Sequence, residues 1–359
     1  MITRGFWDNL EYPVVGLAPM DGVTDAAFRY IVCKYSSPSL TMTEFTNVEG
    51  LARGSEKMLT AFLYDESERP VVAQIYGVEV DSYYKCSVML AAMGFDGIDI
   101  NMGCPANKVA RKGSGAGLIR TPKLAAEIIA ACKKGAKDWA NGISVEEAGV
   151  HENCIARIEK MNKKHFEGES ERKEIPVSVK TRIGFDKVVG VEWTKHLLDQ
   201  EPANISMHGR TLRQMYMGMA DWEEIARCAE VCKGSGVTLL GNGDVLSMED
   251  AEEKVKKYKV DGVLIGRATF GNPWFFGGKE PGEDEEGVKL RFSALKSHAE
   301  YFQKLDHLPF HAIKKHLAWY CKGFSGAREL RKNLMQVENY ADVENIIDNF
   351  KTNAEEEAD

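Results

Sequence analysis

The chain has 359 residues, 44% apolar and 28% charged, enough to bury a sizeable core, with a formal net charge of −8 that argues against a broad nucleic-acid-binding surface. No window is long and uncharged enough for a membrane span, and MITRGFWDNLEYP has no basic stretch before an apolar one, which predicts a cytoplasmic protein without a secretory leader. Of eight cysteines only Cys228 and Cys232 sit four apart, which predicts reduced thiols and no metal site.

From the amino terminus, β-type runs alternate with longer amphipathic stretches. The runs are VVGLAP from Val14, SLTMTEF from Ser39, VVAQIYG from Val71 and DGIDIN from Asp96. They continue with PVSVKTRIG from Pro176, NISMHGR from Asn204, VTLLGNGD from Val237 and DGVLIGRA from Asp261. Strands that alternate with helices pair in parallel beneath covered faces. Eight such units in about 250 residues predict an α/β protein, a (β/α)8 TIM barrel. A doubly wound sheet would carry a glycine-rich dinucleotide turn after an early strand, and GLAPMDG is not that pattern.

The barrel is read as residues 1–276, with a polar insertion at 136–174 that holds a helix from about Ala148 to Lys164 and then a mobile loop. GGKEPGEDEEG, 277–287, reads as a linker, and 288–359 as a small all-helical domain with a disordered acidic tail. Between His307 and Asn333, Lys314, Lys315, Lys322, Arg328, Arg331 and Lys332 face one acid, Glu329, a local balance of +5. Such a run suits RNA with salt-sensitive affinity, and equally suits a solvated helix face.

Active sites of such barrels lie at the carboxyl ends of the strands, where this chain places polar residues. Alternation turns Gln74, Asp99 and Asn101 away from the helix layer and sets Lys180 and Arg182 on one face. Later strands end in His208, in Asn242-Gly243-Asp244 and in Gly266-Arg267. Burying this set in one mouth is costly without a polar ligand. Gly243 and Gly266 allow close approach of a phosphate that Arg267 can neutralise. FMN satisfies the inventory, and a phosphosugar fits nearly as well. In NMGCPANK, Gly103 and Pro105 fix the backbone around Cys104, whose thiol can donate a proton. Taken alone, that turn reads as a buried structural cysteine.

GLAPMDGVTDAAFR, TEFTNVEGL, AQIYG, DGIDINMGCPANKVARKGSGAGL, VSVKTRIG, MHGRTLRQMYMGMADW, GNGDV and DGVLIGRATFGNPWFF, in this order, resemble the tRNA-dihydrouridine synthases. AIKKHLAWYCKGFSGARELRKNL is similar to that family's C-terminal RNA-binding domain, whereas the 136–174 insertion is longer than the family leads one to expect. The resemblance implies a monomeric enzyme that reduces the C5=C6 bond of tRNA uridines with bound FMN and visiting NADPH. It implies that Pro19, Met20 and Asp21 line the flavin, Gln74 bonds its edge, and Lys180 and His208 contact the ring. Asn242, Gly243, Asp244, Gly266 and Arg267 would hold the phosphate, and Cys104 would be the catalytic acid. Asn101 and Arg182 would lie near the uracil, with Lys315, Arg328, Arg331 and Lys332 on the tRNA. A flavin barrel reducing a free pyrimidine, a non-redox phosphosugar enzyme and an inactive RNA-binding barrel are the rival readings.

Overall fold

The computed structural model describes residues 2–165 and 171–350; the acidic tail and the loop expected after Lys164 fall outside the described residues. Two compact units share the chain: Met1–Gly22 with Ser39–Gly266, and Val23–Pro38 with Arg267–Asp359.

The first unit contains β1 (Val14–Leu17), β2 (Thr41–Met42), β3 (Thr46–Asn47), β4 (Val71–Tyr76) and β5 (Gly97–Met102), then β6 (Val177–Arg182), β7 (Asn204–His208), β8 (Thr238–Asn242) and β9 (Gly262–Ile265). All pair in parallel in the order β1-β9-β8-β7-β6-β5-β4-β2, with β3 also on β4. The ring closes where Ser39 N donates to Val15 O at 2.9 Å and Leu17 N to Leu40 O at 3.0 Å. This is the (β/α)8 barrel that the alternation predicts. β2 lies within the predicted run SLTMTEF, and β3 directly follows that run. The ladder breaks between them because Gln74 N donates to the Thr43 hydroxyl, at 3.0 Å, and not to a carbonyl.

Height along the strands sorts the barrel interior. Val72, Leu240 and Leu264 join Leu40, Met42 and Trp7, from the 3-10 turn Gly5–Asn9, in an apolar plug. Two residues further along the same strands, on the same pleat face, stand Gln74, Asn242 and Gly266. The polar layer therefore rests on an apolar floor.

The insertion carries a helix at Glu152–His165, and its flanks are anchored. Asn162 donates to Ala92 O at 2.9 Å, while the Arg172 guanidinium lies 3.8 Å over Trp139 and donates to Ile143 O at 2.9 Å.

The second unit is helical around Leu295, Phe302, Leu317, Leu330 and Val343. Its bounds differ from the sequence reading: Arg267 already belongs to it, and so does the helix Ala26–Tyr35, contributed from the chain between β1 and β2. Ala27 joins its core and Tyr30 stacks on Tyr301 with centroids 3.8 Å apart. The stretch 277–287, expected as a linker, is tied down. Glu280 pairs with Lys322 at 2.8 Å, Arg291 donates to Pro281 O at 2.6 Å, and Asp284 caps the helix Glu285–Leu305. No helix among the described residues is long and apolar enough to cross a membrane.

Candidate active site

Strand register sets the polar side chains side by side: Gln74 beside Asp99, Asn101 beside Lys180, Arg182 beside His208, and His208 beside Asn242. A chain of amides runs through this layer. Gln74 Nε2 donates to Asp99 Oδ2 at 2.7 Å, and Asn101 Nδ2 donates to Gln74 Oε1 at 2.9 Å. Asn101 Oδ1 then accepts from Cys104 N at 2.8 Å and Gly103 N at 3.1 Å. Because Asp99 Oδ2 accepts, the sense of both amides follows from that end. The carboxylate thus orients the loop that carries Cys104.

Lys180 Nζ donates to Asn242 Oδ1 at 3.1 Å, and Asn242 Nδ2 in turn donates to Leu264 O at 2.8 Å. Burial, seconded by Arg182, pushes the Lys180 ammonium down to about 8, against the favourable charge of Asp99. Burial lifts Asp99 to about 7 despite its bond from Gln74 and the charge of Lys180. Desolvation also raises the half-buried Cys104 thiol, and Asp21 adds to the shift, while a backbone bond from Ala106 and the charges of Arg182 and Lys180 oppose it. The thiol therefore holds its proton at neutral pH. Tyr76 is raised as well, by burial first and then by Cys104, Asp21 and Glu49, which places its phenol in the same field.

Two buried guanidiniums brace the loops of the mouth. Arg182 Nε donates to Gly103 O at 2.7 Å, and its Nη1 to Thr211 O and Met215 O at 3.2 and 3.3 Å. Arg210 donates to Met217 O and Gly218 O and pairs with Asp244 Oδ2 at 2.6 Å, the oxygen that also accepts from Ala220 N. Trp222 Nε1 holds Gly243 O at 2.9 Å. At Gly243, with φ +123°, a Cβ would meet Ala220 at 2.8 Å and the His208 ring at 3.0 Å, so only glycine fits. Gly115, with φ +58°, backs the Cys104 turn, where a Cβ would sit 3.0 Å from Cys104 O.

The structure thus brings Gln74, Asn101, Cys104, Lys180, Arg182, His208, Asn242, Gly243 and Asp244 into one mouth. Met20 joins them through Gly266, whose added Cβ would lie 3.4 Å from its sulfur; Pro19 and Met20 are half-buried and Asp21 is exposed. Several also carry structural loads. One N–H of the Gln74 amide goes to Asp99 and its oxygen accepts from Asn101, while Asp244 pairs with Arg210. The buried Asn101 and Arg182 support loops. Arg267, Lys315, Arg328, Arg331 and Lys332 belong to the second unit, each exposed. Alternation in the sequence turns Asp99 into the mouth, but it gives no role to Asp99, Arg210 or Tyr76. Asp99 shares the pleat face of Asn101 and Arg210 follows His208-Gly209, but only the fold shows their partners.

Comparison with known proteins finds relatives along nearly the whole chain. The family model described as "Dihydrouridine synthase (Dus)" matches residues 16–146 and 157–355. The "Probable tRNA-dihydrouridine synthase" of Staphylococcus aureus (strain MRSA252) is 34% identical over 99% of this chain and 98% of its own length. The "Probable tRNA-dihydrouridine synthase 2" of Bacillus subtilis (strain 168) is 34% identical over 98% of each. A solved structure, "Crystal structure of DHODH in complex with ferulenol from Eimeria tenella", aligns more loosely, with TM-score 0.45 and 11% identity over 81% of this chain and 82% of that one. On the family match and these full-length relatives, the chain belongs to the dihydrouridine synthase family.

Proposed function

We propose that this protein reduces the C5=C6 bond of uridines in tRNA, with FMN in the barrel mouth and Cys104 as the acid. The observation that carries the reading is the braced loop around a protonated, half-buried Cys104, set at one rim with Lys180 and Asn242.

The residues present fit a flavin nucleotide. Lys180 spends one of three N–H donors on Asn242, leaving two for a polar ring edge or an anion. At Gly266 an added Cβ would meet the Met20 sulfur at 3.4 Å and the Ala18 side chain at 4.0 Å, ordinary contact distances. Lys180, His208 and Asn242 would hold the ring, and Gly243, Gly266 and Arg267 the phosphate. When bound, this cofactor supplies the hydride for the new C6–H bond, with NADPH as the visiting reductant.

Cys104 completes the saturation: its S–H proton passes to C5, and the sulfur keeps the bonding pair. The charges of Lys180 and Arg182 favour the developing negative charge on the uracil carbonyl. Arg182 and Asn101 act through the loops they hold. The target base leaves its stack to reach the mouth, which favours an unpaired region of tRNA. Lys315, Arg328, Arg331 and Lys332 supply phosphate contacts, and the reading includes a cytosolic monomer. Purified protein should be yellow, and with NADPH it should add two hydrogens to a uridine of an unmodified tRNA transcript, read by mass spectrometry. Colourless protein, or a transcript left unchanged beside a reduced free pyrimidine, would reject it.

A further inference from the structure

Six large apolar side chains stand exposed on three successive loops at the carboxyl ends of β6, β7 and β8. They are Val188 after β6, Met215, Tyr216, Met217 and Met219 after β7, and Leu246 after β8. Tyr216 is 65% exposed, Met217 72%, and Met219 and Leu246 77% each. Such a cluster on a protein surface ordinarily marks a contact site.

These loops are stitched into one body. Leu212 N donates to Gly184 O at 2.9 Å and Arg213 N to Phe185 O at 3.1 Å, joining the first loop to the second. Asp244 joins the third through Arg210 and Ala220 N. Below, Arg182 and Arg210, only 4% and 3% exposed, are committed to the carbonyls of Thr211, Met215, Met217 and Gly218. Burying two guanidiniums is costly, and here it holds backbone whose side chains point to water. The apolar surface is therefore rigid before any partner arrives, which lowers the ordering cost of binding.

We propose that this surface is a stacking platform for the unpaired nucleobases that flank the target uridine. The inference rests on the tRNA-reducing function proposed above. Three observations select bases over another protein as the occupant. The platform continues into the site, because Arg182 braces both Met215 and the Cys104 turn, and Tyr216 lies close enough to favour the Arg182 charge. From Thr211 to Ala220 the loop has one charge, Arg213, and no acid, which suits a polyanion. Tyrosine and polarizable methionine sulfur both pack on π faces without demanding a particular base.

The test compares flavin-loaded wild-type protein with Met217→Ser/Met219→Ser, changing only exposed side chains, and with Met58→Ser, an exposed methionine elsewhere on the first unit. Each is titrated with an unmodified tRNA transcript and with a fully paired RNA duplex. The double variant should bind the transcript about tenfold more weakly, the loss expected for a stacked base, with duplex binding, melting temperature and flavin content unchanged. Met58→Ser should match wild type. Unchanged transcript binding by the double variant overturns the platform, as does an equal loss for both RNAs. So does a wild-type dimer that the double variant dissolves without loss of RNA affinity. Failure of wild type to bind the transcript at all overturns the tRNA function as well.

Discussion

Cys104 and Asp99 show how the barrel divides labour between a group that reacts and a group that aims it. The raised thiol pKa keeps Cys104 protonated, as an acid must be. Cys104→Ala should lower dihydrouridine formation by about 10²–10⁴-fold, with flavin absorbance and melting temperature unchanged; undiminished turnover would remove it from the chemistry. The charge of Asp99 favours protonated Lys180, which titrates at about 8. Asp99→Asn should therefore shift the alkaline limb of the kcat/KM profile to lower pH. A limb that stays in place would mean that Lys180 is not the group titrating there.

At the scale of elements, the loop after β7 is held from beneath by the Arg210–Asp244 pair, 3% and 12% exposed. Asp244 has φ +52°, a backbone that asparagine also tolerates, so Asp244→Asn isolates the charge. It leaves a buried guanidinium unpaired and should cost about 3–5 kcal/mol in urea denaturation. A loss below about 1 kcal/mol would show that water reaches Arg210 readily. The strands themselves were legible in the sequence because period-two alternation and turn residues are local. Asp244 shows the limit: beside Gly243 it reads as part of a phosphate turn, whereas its partner is thirty-four residues away in the chain.

Across the whole molecule, the second unit combines basic helices with a histidine-bearing core. Burial lowers His298 to about 3, below the 6.5 of an unfolded chain. Its contribution is thus complete above pH 6.5 and lost as pH falls toward 3, about 2 kcal/mol being gone by pH 5. Asp25 is raised to about 6 by burial and works in the opposite sense over the same range. The clean measurement is a difference: between pH 7 and 5, His298→Gln should lose about 2 kcal/mol less stability than wild type. Equal losses would show that His298 charges without unfolding. Charge removal at Lys315, Arg328, Arg331 and Lys332 should weaken tRNA binding and flatten the plot of log affinity against log salt, each true phosphate contact taking about 0.7–0.9 from the slope. An unchanged slope would return these residues to the solvated face.

By itself the sequence determined the order of strands and helices, the barrel they close into, the polar tips of the strands and the family, because these rest on local periodicity and contiguous motifs. Only the tertiary structure decided which polar groups face an open mouth and which also brace the loops around it. Gln74, Asn101, Arg182 and Asp244 look alike as strand-end residues, yet their hydrogen bonds end on side chains and carbonyls from other strands and loops. The helix at 26–35 likewise gives no local sign that it folds with residues beyond 266. Burial and partner choice are long-range quantities, fixed when distant segments pack and the desolvation of each charge has to be offset.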